Sequence, residues 1–273
     1  KRVIVLNVEP DGMAVLNAAD PATAAMAPHC PGDVTFFALD ANQPALAAHR
    51  AQGRRVVFVD NGAIVAQKGK QIFRIPLSQV PLTRGGQIGF QTENVLAAIG
   101  AAWAVDVPWD AIAQGLSTFI SDVQGVPGRF NVFDYKGATL IADYGHNPDA
   151  IAALVKTLSK VPSNTRRIVL SAAGDRRDVD ITEQGRIAGG FFKHVVLYED
   201  ACLRGRENGS TFELLKQGIA QADRPAGQVV ETIVGEFAAI QKALDSADTG
   251  DVTLVLVDQV NEALNYIAQH VKS

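Results

Sequence analysis

The apolar positions of this chain change rhythm part-way along. Over residues 3–6, 13–16, 34–39, 56–59, 63–67 and 71–76 they run together or alternate in stretches too short for helices. That spacing predicts strands. Asp11-Gly12, Asn61-Gly62 and Lys68-Gly69 punctuate the stretches as turns, and Asn61-Gly62 between two apolar runs is a hairpin signal. A meander of short strands is expected. Asp20-Pro21 pairs a capping acceptor with a first-turn proline and predicts the start of an Ala-rich helix. From Phe90 the period lengthens: Val95, Ile99, Ala102 and Trp103 fall on one helical face, and Ile112, Leu116, Phe119 and Ile120 on another, with residues 106–109 joining the two helices.

Pro127-Gly128 breaks the pattern, and a regular alternation follows. Two β-like runs, 130–135 and 138–142, are joined at Lys136-Gly137. Pro148 then stands where a first helical turn begins, ahead of Ile151, Leu154, Val155 and Leu158 at i, i+3, i+4 and i+7. Apolar strands at 139–142, 168–172, 195–198, 229–231 and 252–257 alternate with helical stretches. Ser210-x-x-Glu213 has the form of a capping box, and Val260, Leu264, Ile267 and Val271 form the last helix's buried stripe. Such alternation predicts an α/β fold with a mostly parallel, doubly wound sheet. The boundary is expected at residues 125–128, acting as a hinge, with domains 1–127 and 128–273.

Composition narrows this little. At 273 residues, 47% hydrophobic and 20% charged, the chain is long enough for two cores and has an ordinary globular balance. A net charge of −4 gives no reason to expect nucleic acid or an acidic membrane surface. No apolar run approaches a membrane span, and no signal peptide opens the chain. Two distant cysteines, Cys30 and Cys202, give neither a disulfide framework nor metal-ligand spacing, so a reducing cytoplasm is the expected compartment. The pairs Arg54-Arg55, Arg166-Arg167 and Arg176-Arg177 read as solvated surface, and His29 and His49 as surface histidines.

The polar clusters are the chemical content. D-Y-G-H-N after residue 142, G-D-R-R-D after 173, E-D-A-C-L-R-G-R-E after 198 and D-Q-V-N-E after 257 each follow a strand. In a parallel sheet all strand carboxyl ends share one edge, where ligands bind. Arg129 offers a fixed fork of donors suited to phosphate. Asp143 is read either as an acceptor for a ligand or as a cap on the following helix. His146 is read either as a brace or as a participant in chemistry. Asp175, Arg176 and Arg177 could recognise a carboxylate or form an exposed salt-bridged loop. Arg204 and Arg206, among Glu199, Asp200 and Glu207, suit a zwitterionic ligand or a self-neutralising loop.

P-G-R-F followed by D-Y-G-H-N-P-D-A resembles the start of the C-terminal domain of the Mur ligases, ATP-dependent amide ligases whose relatives include folylpolyglutamate and cyanophycin synthetases. G-D-R-R-D and Y-E-D-A-C-L-R-G-R-E-N-G resemble the cyanophycin synthetase branch. The resemblance implies a partial Mur central domain followed by a Rossmann-like C-terminal domain. It implies ATP and Mg²⁺ as cofactors, phosphorylation of a carboxylate, and attack by an amine on the acyl-phosphate. In that branch arginine is added to the side-chain carboxylate of poly-aspartate, so arginine, aspartate and the polymer are the implied partners. An assembly of identical copies is compatible with this.

By the same resemblance Asn94, in F-Q-T-E-N-V-L-A-A-I, would bond the adenine, Asp143 the ribose hydroxyls, and Arg129 the phosphate. His146 would approach the acyl-phosphate or brace the site, and Asp175, Arg176, Arg177, Arg204 and Arg206 would meet the substrate. No metal ligand is assigned. Asn17-Ala-Ala-Asp20-Pro21 departs from the family's segment, since Ala19 replaces the first of two acids. No G-x-x-x-x-G-K-[ST] occurs. The chain is therefore expected to be the C-terminal part of a longer enzyme and inactive alone. The rivals are another Mur-type ligase, muramoyl-peptide or folylpolyglutamate, or a non-catalytic binding module.

Overall fold

A computed structural model describes residues 2–199 and 202–271. Asp200 and Ala201, within the Tyr198–Gly209 motif, lie outside the described residues. The chain divides into two compact units, Lys1–Ile120 and Ser121–Ser273, both mixed α/β.

The first unit opens with α1 (Arg2–Leu6) rather than the expected strand. Only Val5 of this segment is buried, no strand pairs with it, and the Asn7 side-chain amide caps the Val3 carbonyl at 2.7 Å. β1 (Met13–Asn17) follows. Asp20 then caps α2 (Pro21–Ala24) by accepting from the Ala22 amide, so the capping reading holds for a helix of only four residues. β2 (Asp33–Asp40), α3 (Pro44–Ala51), β3 (Val56–Asp60), β4 (Ala63–Lys68) and β5 (Gln71–Pro76) complete a sheet in sequence order.

The meander expected here is confined to β3–β4–β5. β1, β2 and β3 run parallel, and α3 makes the β2–β3 crossover. The Ala-rich α3 has two buried anchors three residues apart, Leu46 and His49, too few to signal a helix. His49 is not the expected surface histidine. Its Nε2 lies 2.7 Å from the Val34 carbonyl and its ring meets the edge of Phe36, and burial holds its pKa below the usual value.

α4 (Gly89–Ala104) lays Val95, Ile99 and Trp103 onto this sheet, and α5 (Trp109–Thr118) buries Ile112. Phe119 and Ile120, assigned to the second stripe, lie beyond α5 and are exposed. Arg55 corrects the solvated-pair reading: its guanidinium lies over the Trp103 ring and donates to the Trp103 carbonyl at 2.7 Å.

In the second unit β6 (Asn131–Tyr135) and β7 (Ala138–Asp143) form a hairpin through Lys136-Gly137, both at positive φ as a type I′ turn requires. Asn147 caps α6 (Pro148–Leu158), which buries Ile151, Leu154 and Leu158. Then come β8 (Arg166–Leu170), α7 (Asp178–Phe191), β9 (His194–Tyr198), α8 (Ser210–Ala220), β10 (Val229–Ile233), α9 (Glu236–Asp245), β11 (Val252–Leu256) and α10 (Val260–Val271). The sheet order is β10-β9-β8-β11-β7-β6, parallel except for edge strand β6.

The last strand is thus inserted between β7 and β8. Its entry is marked by a buried ion pair, Arg167 with Asp251, again contrary to a solvated arginine pair. The Ser210-x-x-Glu213 box does not form. Gly209 is the cap residue at φ 85°, and the distant Glu199 carboxylate accepts from the Gly209 amide at 2.8 Å and the Thr211 hydroxyl at 2.8 Å. No helix among the described residues is long and apolar enough to cross a membrane.

Candidate functional site

Five parallel strands of the second unit end on one edge, and the turn at residues 127–130 is laced to it. Gly128 has φ 69° and Phe130 φ 53°. The Gly128 amide donates to Asn131 Oδ1 at 2.7 Å, and the Tyr144 amide donates to the Gly128 carbonyl at 2.8 Å. A Cβ at Gly128 would lie 2.8 Å from Val260 Cγ1, so this position needs glycine for space as well as for its left-handed backbone.

Asp143 closes the turn. It is 8% exposed, and its Oδ2 accepts from the Phe130 amide at 2.9 Å. It does not cap α6, since Asn147 does, accepting from the Ala150 amide at 2.9 Å. Burial pushes the Asp143 carboxyl up to about 6, against the opposing pull of the Phe130 amide, the Arg129 charge, the Gly145 amide and His146. A carboxylate whose desolvation outweighs its two backbone donors is stabilised in its charged form by any hydroxyl that bonds it. Arg129 is exposed, its guanidinium 5.9 Å from the centre of the Tyr144 ring. His146 is 4% exposed. Its Nδ1 lies 3.0 Å from the Tyr144 carbonyl, its ring packs on Tyr144, and its Nε2 is buried without a hydrogen-bond partner among the described residues.

The loops after β8 and β9 interlock. A Cβ on Gly174 would fall 2.0 Å from the Leu203 carbonyl oxygen, so the two backbones touch. Arg206 donates to the Gly174 carbonyl at 2.6 Å, to the Arg176 carbonyl at 2.5 Å and to Asp178 at 2.8 Å. Arg204, at φ 51°, pairs with Asp175 at 3.0 Å, with the Tyr144 hydroxyl as a further acceptor. That hydrogen bond and charge hold the Asp175 carboxyl below its usual range.

Arg177 makes a two-pronged bond to Asp180 at 2.8 and 2.7 Å inside the first turn of α7, and Arg176 is exposed. The structure thus gathers Arg129, Asp143, Tyr144, His146, Asp175 and Arg204. It commits Arg206 to the loop backbone and turns Arg177 onto its own helix. Arg206→Ala is expected to cost about 1–3 kcal/mol, because two loop carbonyls lose a charged donor, and to raise amide exchange across residues 174–178. Unchanged exchange there would mean that the loop holds itself.

The comparisons with known proteins bear on this edge. Residues 128–256 match the family model of the Mur ligase glutamate ligase domain. The chain is 35% identical over 268 residues to cyanophycin synthetase from Nostoc sp., covering 98% of this chain and 30% of that protein. The chain belongs to the Mur ligase superfamily. It spans about 30% of the length of the curated cyanophycin synthetases it matches. Its fold is that of a murein peptide ligase from Psychrobacter arcticus (TM-score 0.67, 15% identity, 99% of this chain and 53% of that one). It is also that of E. coli FolC in complex with ADP (TM-score 0.61, 17% identity, 92% and 52%).

One buried group of this Mur ligase chain gave no sequence signal. Glu236, at the start of α9, is buried and accepts from the Asp258 and Gln259 amides at 2.8 and 3.1 Å, fixing the loop after β11. Burial raises its pKa, and the two amides oppose the rise. A glutamate after a glycine reads locally as an ordinary first-turn acid. Only the return of β11 beside β8 gives it a partner. Asn94, on α4 of the first unit, is exposed, donates to Gln91 at 3.1 Å, and borders an otherwise apolar cleft of about 460 Å³ between α4 and α5.

Proposed function

We propose that this chain is the C-terminal part of an ATP-dependent amide ligase of the cyanophycin synthetase kind, adding arginine to the side-chain carboxylate of poly-aspartate through an acyl-phosphate. The observation that carries the reading is Asp143, a buried carboxylate whose desolvation its two backbone amides do not offset, beside an exposed arginine on the loop edge. Kinship with cyanophycin synthetase supports the choice of substrates.

An adenosine nucleotide suits these residues. The paired hydroxyls of a ribose would add donors that offset the desolvation of Asp143, and Arg129 offers phosphate a fork of N–H groups. Bound ATP supplies the phosphoryl group that activates the acceptor carboxylate. Arg129 would steady charge on that group, and His146, with a free buried nitrogen, would hold the neighbouring loop or bond the acceptor carboxyl. Asp175, paired with Arg204, would receive the amino and guanidinium groups of an incoming arginine, and the exposed Arg176 a carboxylate. Arg206 would act by holding those loops, and Arg177 through α7. For Mg²⁺ the described residues offer no cluster of three or more His, Cys, Asp or Glu side chains.

In the first unit, the amide of Asn94 at the lip of an apolar cleft suits a purine base. That unit would correspond to the end of the Mur central domain. Right-handed crossovers in the second unit would put α6, α7 and α8 on one face of the sheet and α9 on the other, where α10 shares the core cluster of α9, a doubly wound, Rossmann-like arrangement. The stretch matched by the family model begins at residue 128, and a hinge at residues 125–128 would lie a few residues inside the second unit, which begins at Ser121.

In the whole ligase, Asp143→Ala is expected to raise the ATP requirement about ten- to a hundredfold, the worth of hydrogen bonds from hydroxyls to a charged acceptor. Phosphate release with arginine, aspartate and a poly-aspartate primer measures it. An unchanged ATP requirement with only a lower melting temperature would leave Asp143 as a brace for the Phe130 turn.

A further inference from the structure

The opposite edge of the second sheet carries a cavity that no part of the proposed reaction uses. At the N-terminal ends of β8, β9 and β10, under α9, Arg167, His194, Val229, Glu231, Lys242 and Ser246 line a space of about 200 Å³. That is below the roughly 300–1,000 Å³ of drug-sized sites and suits a small ion with its water. The strand register explains the grouping: Arg167 lies beside His194, and His194 beside Val229.

The donors outnumber their partners. Arg167 is buried and bonded through Nη1 to Asp251, while its Nε is buried with no acceptor among the described residues. Lys242 meets Glu231 at 3.3 Å, but both side chains are close to half exposed, and a pair of that kind opens at little cost. Charges act on the His194 ring from several elements, Arg167 on β8, Lys193 before β9, Glu231 on β10 and Asp251 before β11, and Lys242 on α9 lines the same cavity. Burial lowers the His194 pKa first, then Arg167 and Lys193, and the two acids do not restore it. The Arg167 and Lys242 charges are each met by an acid, so what the cavity offers an ion is a lining of donors, Arg167, His194 and Lys242, with the Arg167 Nε still without an acceptor among the described residues.

We propose that this cavity is a small-oxyanion site, in which a phosphate or small carboxylate is held by Arg167, His194 and Lys242, with Glu231 as the internal competitor that the ion displaces. The competition separates the proposal from a merely structural role. Lys242→Ala removes a donor and should weaken binding about tenfold, whereas Glu231→Gln frees Lys242 and should tighten it several-fold. Neither change touches the buried Arg167–Asp251 pair.

The test is an NMR titration of the intact chain, following the His194 ring signals, with inorganic phosphate and with acetate, against sodium chloride at matched ionic strength. The expected result is a saturable shift and a rise in the His194 titration midpoint, weaker in Lys242→Ala and stronger in Glu231→Gln. A response to phosphate alone assigns the site to tetrahedral ions, and a response to both extends it to carboxylates. Silence with both ions, an equal response to chloride, or the same affinity in all three proteins overturns the proposal.

Discussion

Replacing Asp251 with alanine is expected to remove about 3–5 kcal/mol from the stability of the second unit, because the Arg167 guanidinium would be left charged and buried without its partner. Both side chains are almost fully enclosed, and Asp251 also accepts from the Asp248 amide at 3.0 Å, ahead of β11. The loss is a large share of the roughly 5–15 kcal/mol that a domain has in total. Urea unfolding of the purified chain measures it.

The double variant Arg167→Met, Asp251→Leu should recover most of that loss, since a packed apolar pair removes the desolvation cost together with the attraction. Burial pushes the Asp251 carboxyl up, but the hydrogen bond and charge of Arg167, with the Asp248 amide, outweigh it and leave the pKa lowered. Its contribution is therefore present above the ordinary carboxylate pKa and lost as pH falls through the depressed folded value. A loss under about 1 kcal/mol at neutral pH, the scale of an exposed pair, would mean that the pair is hydrated in solution.

What the sequence could disclose follows how far away each residue's partner lies. Asn147-Pro148 announced α6 because a cap and its amide are three residues apart, and Lys136-Gly137 and Asn61-Gly62 announced their hairpins because I′ turns are two-residue devices. His49, Arg167 and Glu236 were illegible for the opposite reason. Their acceptors or donors, Val34, Asp251 and Asp258, lie 15, 84 and 22 residues away and arrive only with the sheet. The capping box failed in the same way: Gly209 is the cap residue, Glu199, ten residues earlier, holds its amide and the Thr211 hydroxyl, and the Ser210 and Glu213 amides go to the Glu207 and Gly209 carbonyls.

The candidate site lies between these cases. Grouping the loops by strand ends needed only the α/β alternation, so D-Y-G-H-N, G-D-R-R-D and L-R-G-R-E could be assigned to one edge from the pattern. That Arg204 faces Asp175 while Arg206 is consumed by the Gly174 and Arg176 carbonyls depends on β8 lying beside β9 and on a backbone contact that only Gly174 permits. Periodicity carries neither fact. D-Q-V-N-E was assigned to the edge by the same alternation, but the insertion of β11 between β7 and β8, which fixes where along that edge residues 258–259 fall, was beyond it.

The second large effect belongs to Asp143 and has the opposite pH dependence from Asp251. With its carboxyl at about 6 in the fold and 3.8 as the reference, the folded state binds a proton that the unfolded chain has released. The sign follows: the contribution is fully present below about pH 4 and is lost as pH rises through about 6, so keeping Asp143 ionised costs the fold about 3 kcal/mol at neutral pH. Asp143→Asn provides the reference, because an amide keeps an acceptor for the Phe130 amide and does not titrate. The stability of the natural chain minus that of Asp143→Asn should fall by about 2.5 kcal/mol between pH 4 and pH 7.5, read from urea unfolding at each pH.

A difference flat with pH would show that the carboxyl is well hydrated, and the case for a desolvated acceptor would be lost. If the fall is seen, the same energy becomes available to a ligand, since hydroxyl donors arriving at Asp143 relieve a strained charge. Nucleotide binding by the whole ligase should then strengthen as pH rises through about 6, and this dependence should vanish in Asp143→Asn.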